Sequence, residues 1–399
     1  MRAPMPCPCR ALIAGIVLTC TPVALAAELG PSGEGPTIEM HGFVSQGAIK
    51  TTGNNYLIAN SKRGSLEYAE LGANVSGQLT DRLRVGFQLF ASKLGTTGNF
   101  NVKADWFNLD YRWRDWLGLR AGRVKLPFGL YNDTSDIDAA RVPVLLPQSV
   151  YPLADRDFLL AQTGLELYGF INLASAGALE YRVYGGTVYV PLSAPSPGAP
   201  YQVTALNADY VGGGRLFWDT PLDGLRVGAS VQALRFSGTL SFPMTASLPT
   251  EVVTAHVPAL LWVGSLEYAA HDWLAAVEYS QWHSKIADSS DPSRFPNFDS
   301  DDHRGYALVA YRVRRWFQPG AYYSLLIDVI HSPQGTTRTS QHDFAGTLRF
   351  DINDFWLVKL EGHYMHGTAG VDLDLNPGVT ANAIVRNWAV FLLKTTAYF

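Results

Sequence analysis

Charged side chains recur at alternating positions along this 399-residue chain. Arg84, Arg112, Arg114, Arg120, Arg182, Arg215, Arg226, Arg312, Arg349 and Lys359 lie on the polar face of segments that alternate apolar and polar residues. Glu70, Asp110, Glu166, Glu180, Asp209, Glu278, Asp328, Asp351 and Glu361 share that face. A proline-rich stretch adds Asp133, Asp136, Asp138, Asp155 and Asp157 against Arg141 and Arg156. Opposite charges held across a narrow aqueous gap create a transverse field that orients polar solutes and keeps a hydrated path. The expected grouping faces Arg84, Arg112 and Arg120 toward Asp133, Asp136 and Asp138. Ion pairing that merely stiffens a wall is an equally good use for any one of them.

Other chemistry has thinner support. Nine histidines are scattered along the chain. His363 and His366 are three apart, so on a strand they point to opposite faces and make a poor metal pair. His331 and His342 flank a polar stretch and could meet across a hairpin, with rim solvation as the default. No Gly-x-Ser-x-Gly elbow occurs and no serine stands out as a nucleophile, so an outer-membrane enzyme is the distant alternative. No catalytic residue, metal or cofactor is expected. A formal charge of −4 with interspersed signs excludes a nucleic-acid partner.

The stretch that carries the aspartates is itself unusual. Between LGLRAGRVK (117–125) and TGLELYGFI (163–171) lie some 35 residues with four prolines and no strong period. Val142, Val144, Leu145, Leu146, Phe158, Leu159 and Leu160 want burial, which argues against disorder. The expectation is a loop, 126–162, folded into the lumen of a wide barrel to constrict it.

About sixteen alternating segments follow one another from Ile38 onward, each of the length expected of a membrane strand. Leu83, Val85, Phe87, Leu89 and Ala91 share one face against Arg84, Gly86, Gln88 and Ser92; Leu225, Val227, Ala229, Val231 and Ala233 oppose Arg226, Gly228, Ser230 and Gln232. Short turns, as at Thr80–Arg82, Asp115–Trp116, Arg315–Trp316 and Asn353–Asp354, alternate with long polar connections, among them Ser237–Pro258 and His331–Gln341. That alternation fits an outer-membrane barrel better than a propeller or sandwich. Trp116, Trp273, Trp316, Phe317, Phe355 and Trp356 beside the short turns would form an aromatic girdle at headgroup level. With 47% hydrophobic residues but no apolar run long enough for a membrane helix, the composition suits strands that are apolar on one face. The expected fold is all-β, a 16-stranded antiparallel transmembrane barrel occupying 27–399.

Residues 1–26 read as a signal peptide: Arg2 and Arg10, a short apolar core, then Ala24-Leu25-Ala26 as the cleavage site. Cys7, Cys9 and Cys20 all lie within it, so disulfides and thiolate chemistry are not expected afterwards.

The sequence AGRVKLPFG (121–129) resembles trimeric outer-membrane porins of the phosphate-selective O/P-like and related groups. In those families a Gly-Arg strand end, here Gly122-Arg123, leads through a Pro-Phe-Gly turn, here Pro127-Phe128-Gly129, into the constriction loop. A C-terminal aromatic, here Phe399, is similar to the signal their assembly machinery reads. The resemblance implies a Gram-negative-type outer membrane, a lipid environment, a homotrimer and passive diffusion of small hydrophilic solutes or ions. The mixed charges depart from an anion-only pore, so a charge-selective anion or organic-acid channel is the alternative, and a structural barrel with a plugged lumen a further rival. Arg123 and Lys125 fall on the apolar parity of their strand, marking a subunit contact, the polar rim or a bulge.

Overall fold

A strand that is apolar on one face must bury that face. In lipid a closed cylinder does so by turning it outward while pairing every backbone group. The computed structural model describes residues 27–28, 37–95, 98–190, 192, 202–242, 251–286, 289–291, 298–380 and 383–399. The segment 1–26, read as a signal peptide, lies outside them.

Among the described residues, sixteen antiparallel strands close into one barrel. They are β1 Thr37–Thr51, β2 Ser65–Thr80, β3 Leu83–Leu94, β4 Lys103–Arg114, β5 Leu117–Lys125, β6 Ala161–Asn172, β7 Ala178–Val188 and β8 Gln202–Asp219. The second half holds β9 Leu225–Phe242, β10 Glu251–Ala270, β11 Trp273–Ile286, β12 Phe298–Tyr311, β13 Phe317–Ser332, β14 Gly335–Asn353, β15 Trp356–Gly367 and β16 Asn387–Tyr398. Each strand pairs with its neighbours in sequence, and β16 returns to β1 with Val390 opposite Thr51 and Tyr398 opposite Phe43. Phe399 completes the seam, its N–H donating to the Gly42 carbonyl at 3.0 Å while the Gly42 N–H returns a bond at 3.2 Å. No sheet edge remains along this seam. The two-residue piece Ala27–Glu28 pairs with the start of β1.

Two connections expected to be long loops are mostly strand. β13 and β14 continue to Ser332 and Gly335, and β9 and β10 reach Phe242 and Glu251. Beyond the bilayer neither face needs to be apolar, so the polar run Thr336–Ser340 reads as loop although its β-branched threonines suit an extended ladder.

The outward face follows the alternation. Phe87, Leu89, Val231 and Val277 are exposed, and Gln88, Ser230 and Gln232 on the opposite parity are buried. Trp116, Trp273, Trp316 and Trp356 stand exposed beside the short turns. The inward face departs from a uniformly polar wall. Inward-pointing Val211, Leu234, Leu261, Val263 and Leu308 pack against Phe128, Leu146, Val150 and Leu159 of the β5–β6 segment. A second cluster joins Ile49, Tyr68, Met365 and Trp388 to Val144 and Leu145. The barrel's core is thus the contact between its wall and its own infolded loop, each buried side chain contributing roughly 1.5–3 kcal/mol.

Val277 lies on the outward face near mid-strand on β11. Val277→Arg is expected to destabilise the barrel by about 2–4 kcal/mol, the midplane cost of an exposed cation. Equilibrium unfolding from lipid vesicles measures this, and a loss within error would place that face in water.

Candidate functional site

The segment after β5 has three short 3-10 turns and one helical turn, Arg156–Leu159, so most of its backbone polar groups lack regular partners. It turns inward at Pro127–Gly129. Gly129 has φ +61, and a Cβ there would collide with the Tyr151 hydroxyl and come within 2.9 Å of the Glu278 carboxylate, so the bend requires glycine. Phe128 is buried edge-to-face on Trp282. The Gly129 N–H donates to Ser230 Oγ at 3.1 Å and the Leu130 N–H to Glu278 at 2.9 Å, reaching β9 and β11. Further on, Ser149 donates to the Gly305 carbonyl on β12 at 3.1 Å. Arg156 forms a two-pronged pair with Asp105 on β4 at 3.0 and 2.7 Å. The loop therefore crosses the lumen and touches the wall on nearly every side.

Its three aspartates are fixed points of that path. Asp133 accepts from Arg182 on β7 at 2.8 Å and from Arg215 on β8 at 2.7 Å. Asp136 pairs with Lys125 at 2.6 Å and accepts from Gln88. Asp138 faces Lys359 at 3.0 Å, Lys394 at 3.4 Å and Arg141 at 3.4 Å, and accepts from Thr396 at 2.7 Å. Burial pushes all three carboxyls up, but the cations outweigh it: Asp133 and Asp136 lie below the ordinary value of 3.8 and Asp138 well below.

The arginines expected opposite them are not their ion-pair partners, although Arg112 and Arg120 line one cavity with Asp133. Arg120 is taken by wall carboxylates, Asp110 at 2.8 Å and Glu166 at 2.9 Å. Arg84 pairs with Glu39 at 3.2 Å near the short turns, both half exposed. Arg112 lines the cavity on that side. The structure thus brings the aspartates to Lys125, Arg182, Arg215, Lys359 and Lys394, in direct contact and with no gap between them. Lys394 escaped the sequence reading because it is a lone cation in the last strand; its inward parity, opposite Leu393, was the available signal. Asp105 was hidden by a bulge, where Gln88 pairs with Trp106 and Leu89 with Ala104. Lys125, at the end of β5, turns into the lumen toward Asp136, and Arg123 donates to the Asp105 carbonyl at 2.8 Å. Gly122 before it has φ +126 and touches the β4 backbone too closely for a side chain. His363 points inward to Asp343 and Glu361 while His366 faces out to Asn387. His331 lies opposite Thr336 and His342 opposite Leu325, so these two do not meet.

Two cavities flank the loop. One of about 630 Å³ opens on the short-turn side, lined by Arg112, Arg120, Lys125, Arg182 and Arg215 with Asp115, Asp133 and Glu180. The other, about 360 Å³, lies on the long-loop side among Tyr56, Gln148, Ser149, Arg304, Gln341 and Asp343. A space of about 40 Å³ between Glu70, Arg141 and Arg156 shares Gln148 and Pro152 with the second.

Comparison with known proteins addresses the fold. No family model matches the chain, and no curated protein matches it. Among solved structures, the chain is similar to OmpT, an outer-membrane protein of Vibrio cholerae, in its outer-membrane expressed form. Identity there is 13%, the TM-score 0.57, and the match covers 94% of this chain and 100% of that one. It is also similar to the outer-membrane channel DcaP of Acinetobacter baumannii (10% identity, TM-score 0.54, 94% and 100% covered). A third is an anion-selective porin from Comamonas acidovorans (10%, 0.51, 91% and 100%). The chain is therefore a closed sixteen-stranded barrel of the kind found in Gram-negative outer membranes.

Two outcomes follow from the aspartate contacts. Carboxyls whose folded values are depressed stabilise the structure at every pH above 3.8, and that contribution is lost only as pH falls through the lower folded value. Amide exchange across 130–146, corrected for intrinsic rate, should show equal protection at about pH 7 and pH 5; protection lost by pH 5 would contradict the pairing. Asp138→Asn leaves buried Lys359, Lys394 and Arg141 without their shared anion, an expected loss of about 3–5 kcal/mol read from the heat-induced mobility shift of the folded barrel.

Proposed function

We propose that this protein is an outer-membrane porin, a passive diffusion channel for small hydrophilic solutes, with the loop as its constriction. The supporting observation is the pair of charge-lined cavities on opposite faces of one loop inside a closed barrel. Solutes would enter the smaller outer cavity, pass the loop beside Arg141, Arg156 and Glu70, and leave through the larger one. Fixed charges of both signs replace part of a solute's hydration without binding it tightly, which is what throughput requires. Arg112 and Arg120 line this path with Asp133, and the channel reading assigns no covalent step, metal or cofactor to any of them. The reading extends to a homotrimer in the membrane, supported by the trimer form recorded for one structural neighbour, OmpT of Vibrio cholerae. It also includes export through a leader at 1–26 and assembly guided by Phe399.

One observation favours the narrower reading of an anion or organic-acid channel: cations outnumber acids around the inner cavity. Liposome swelling separates the two. A general pore admits neutral sugars and organic anions in order of size, whereas an anion channel ranks them by charge. No swelling with any solute would refute both. Neutralising Asp133, Asp136 and Asp138 together, each to Asn, frees Arg182, Arg215, Lys125, Lys359 and Lys394 from their counter-ions. Reversal potentials in asymmetric salt should then move toward anions, and unchanged potentials would remove the loop carboxylates from selectivity.

A further inference from the structure

Between Val142 and Leu146 the loop makes no backbone-to-backbone hydrogen bond among the described residues, and Pro143 and Pro147 bar it from helix or strand. Something else must fix its course. One strand does so. On β15 the inward positions include Lys359, Glu361, His363 and Met365, all fully or nearly fully buried. Lys359 Nζ donates to the loop carbonyls of Asp138 at 2.7 Å, Arg141 at 2.8 Å and Pro143 at 3.3 Å. Two residues on, the Glu361 carboxylate accepts the consecutive N–H groups of Val144 at 2.6 Å and Leu145 at 2.9 Å. Met365 continues the row against the apolar side chains of Val144 and Leu145. Cation for carbonyls, anion for amides and, four residues on, thioether for apolar tails thus share one strand face.

His363 completes the device. Its side chain is fully buried, with Nε2 3.0 Å from Glu361 and Nδ1 2.9 Å from Asp343 on β14. Both ring nitrogens face carboxylate oxygens, so the ring can donate to each. It orients Glu361 toward the loop and offsets its charge, as a second layer behind a ligand does.

We propose that β15 is the docking rail of the constriction loop and that Glu361, held by His363 and Asp343, is the positioning residue that sets the loop's place across the lumen. The inference rests on the channel reading and adds a named control point to it. Losing Glu361 removes the wall's acceptor for the Val144 and Leu145 amides while leaving the anchors at Glu278 and Asp105 in place.

The test is single-channel recording of the full chain in planar bilayers, with wild type, Glu361→Gln, Val144→Pro and the double variant. Val144→Pro deletes one of the two amide donors and leaves every residue of the barrel wall unchanged, so it reports even where Glu361→Gln fails to fold. Each single variant should raise the frequency of conductance transitions about tenfold, the order expected for losing a charge-assisted hydrogen bond. The double variant should match Glu361→Gln alone, because the Val144 amide acts through that carboxylate. Transition frequencies equal to wild type in Val144→Pro, or additive effects in the double, would overturn the rail. A wild type that conducts nothing would overturn the channel reading instead, and the two failures are distinct.

Discussion

Everything in this barrel depends on how an irregular segment, enclosed by a wall, satisfies its own backbone. Strands in lipid pair all their polar groups with neighbours, but the loop between β5 and β6 has only scattered backbone pairs, most of them inside its own short turns. Charged side chains from the wall supply the missing partners. Glu278 and Glu361 accept its amides, Lys359 and Arg349 donate to its carbonyls, and Asp133, Asp136 and Asp138 answer with contacts in the other direction. In a low-dielectric interior each of these is stronger than in water and correspondingly costly to leave half made.

This constraint explains why the lumen carries both signs of charge. A field strung between separated charges would leave carboxylates on the loop and guanidinium groups on the wall facing each other across water. Here the loop carboxylates touch their partners, so the charges that shape the passage also hold it in place. Arg182 and Arg215 show this most clearly, since each bridges a wall carboxylate and Asp133. On the proposed channel reading, selectivity belongs to what remains exposed along the cavities, above all the cationic lining on the short-turn side.

Much of the architecture was legible because a strand's two-residue period and the alternation of short and long connections are local. They placed all sixteen strands, the exposed tryptophans beside the short turns, the seam through Phe399 and the infolded segment between Lys125 and Ala161. Pairing across the lumen is not local. Nothing near Asp138 in sequence announces Lys359 and Lys394, and nothing near Asp133 announces Arg182. Arg84 and Arg120 were plausible partners by strand proximity, yet closer carboxylates on adjacent strands, Glu39, Asp110 and Glu166, claim them. The inward-facing Val211, Leu234 and Leu261 likewise break the polar-inside pattern because the loop, not water, covers them. Bulges were invisible as well, and the one at Asp105 delivers the carboxylate that holds Arg156.

The central claim is that a charge-anchored loop, and not the width of the barrel, limits passage. Replacing residues 133–155 with a short glycine-serine linker leaves all sixteen strands intact and removes the anchored span. Single-channel conductance compared with the parent in the same salt tests the claim most directly. The account predicts a several-fold larger conductance with weaker ion preference; a conductance unchanged by the replacement would contradict it.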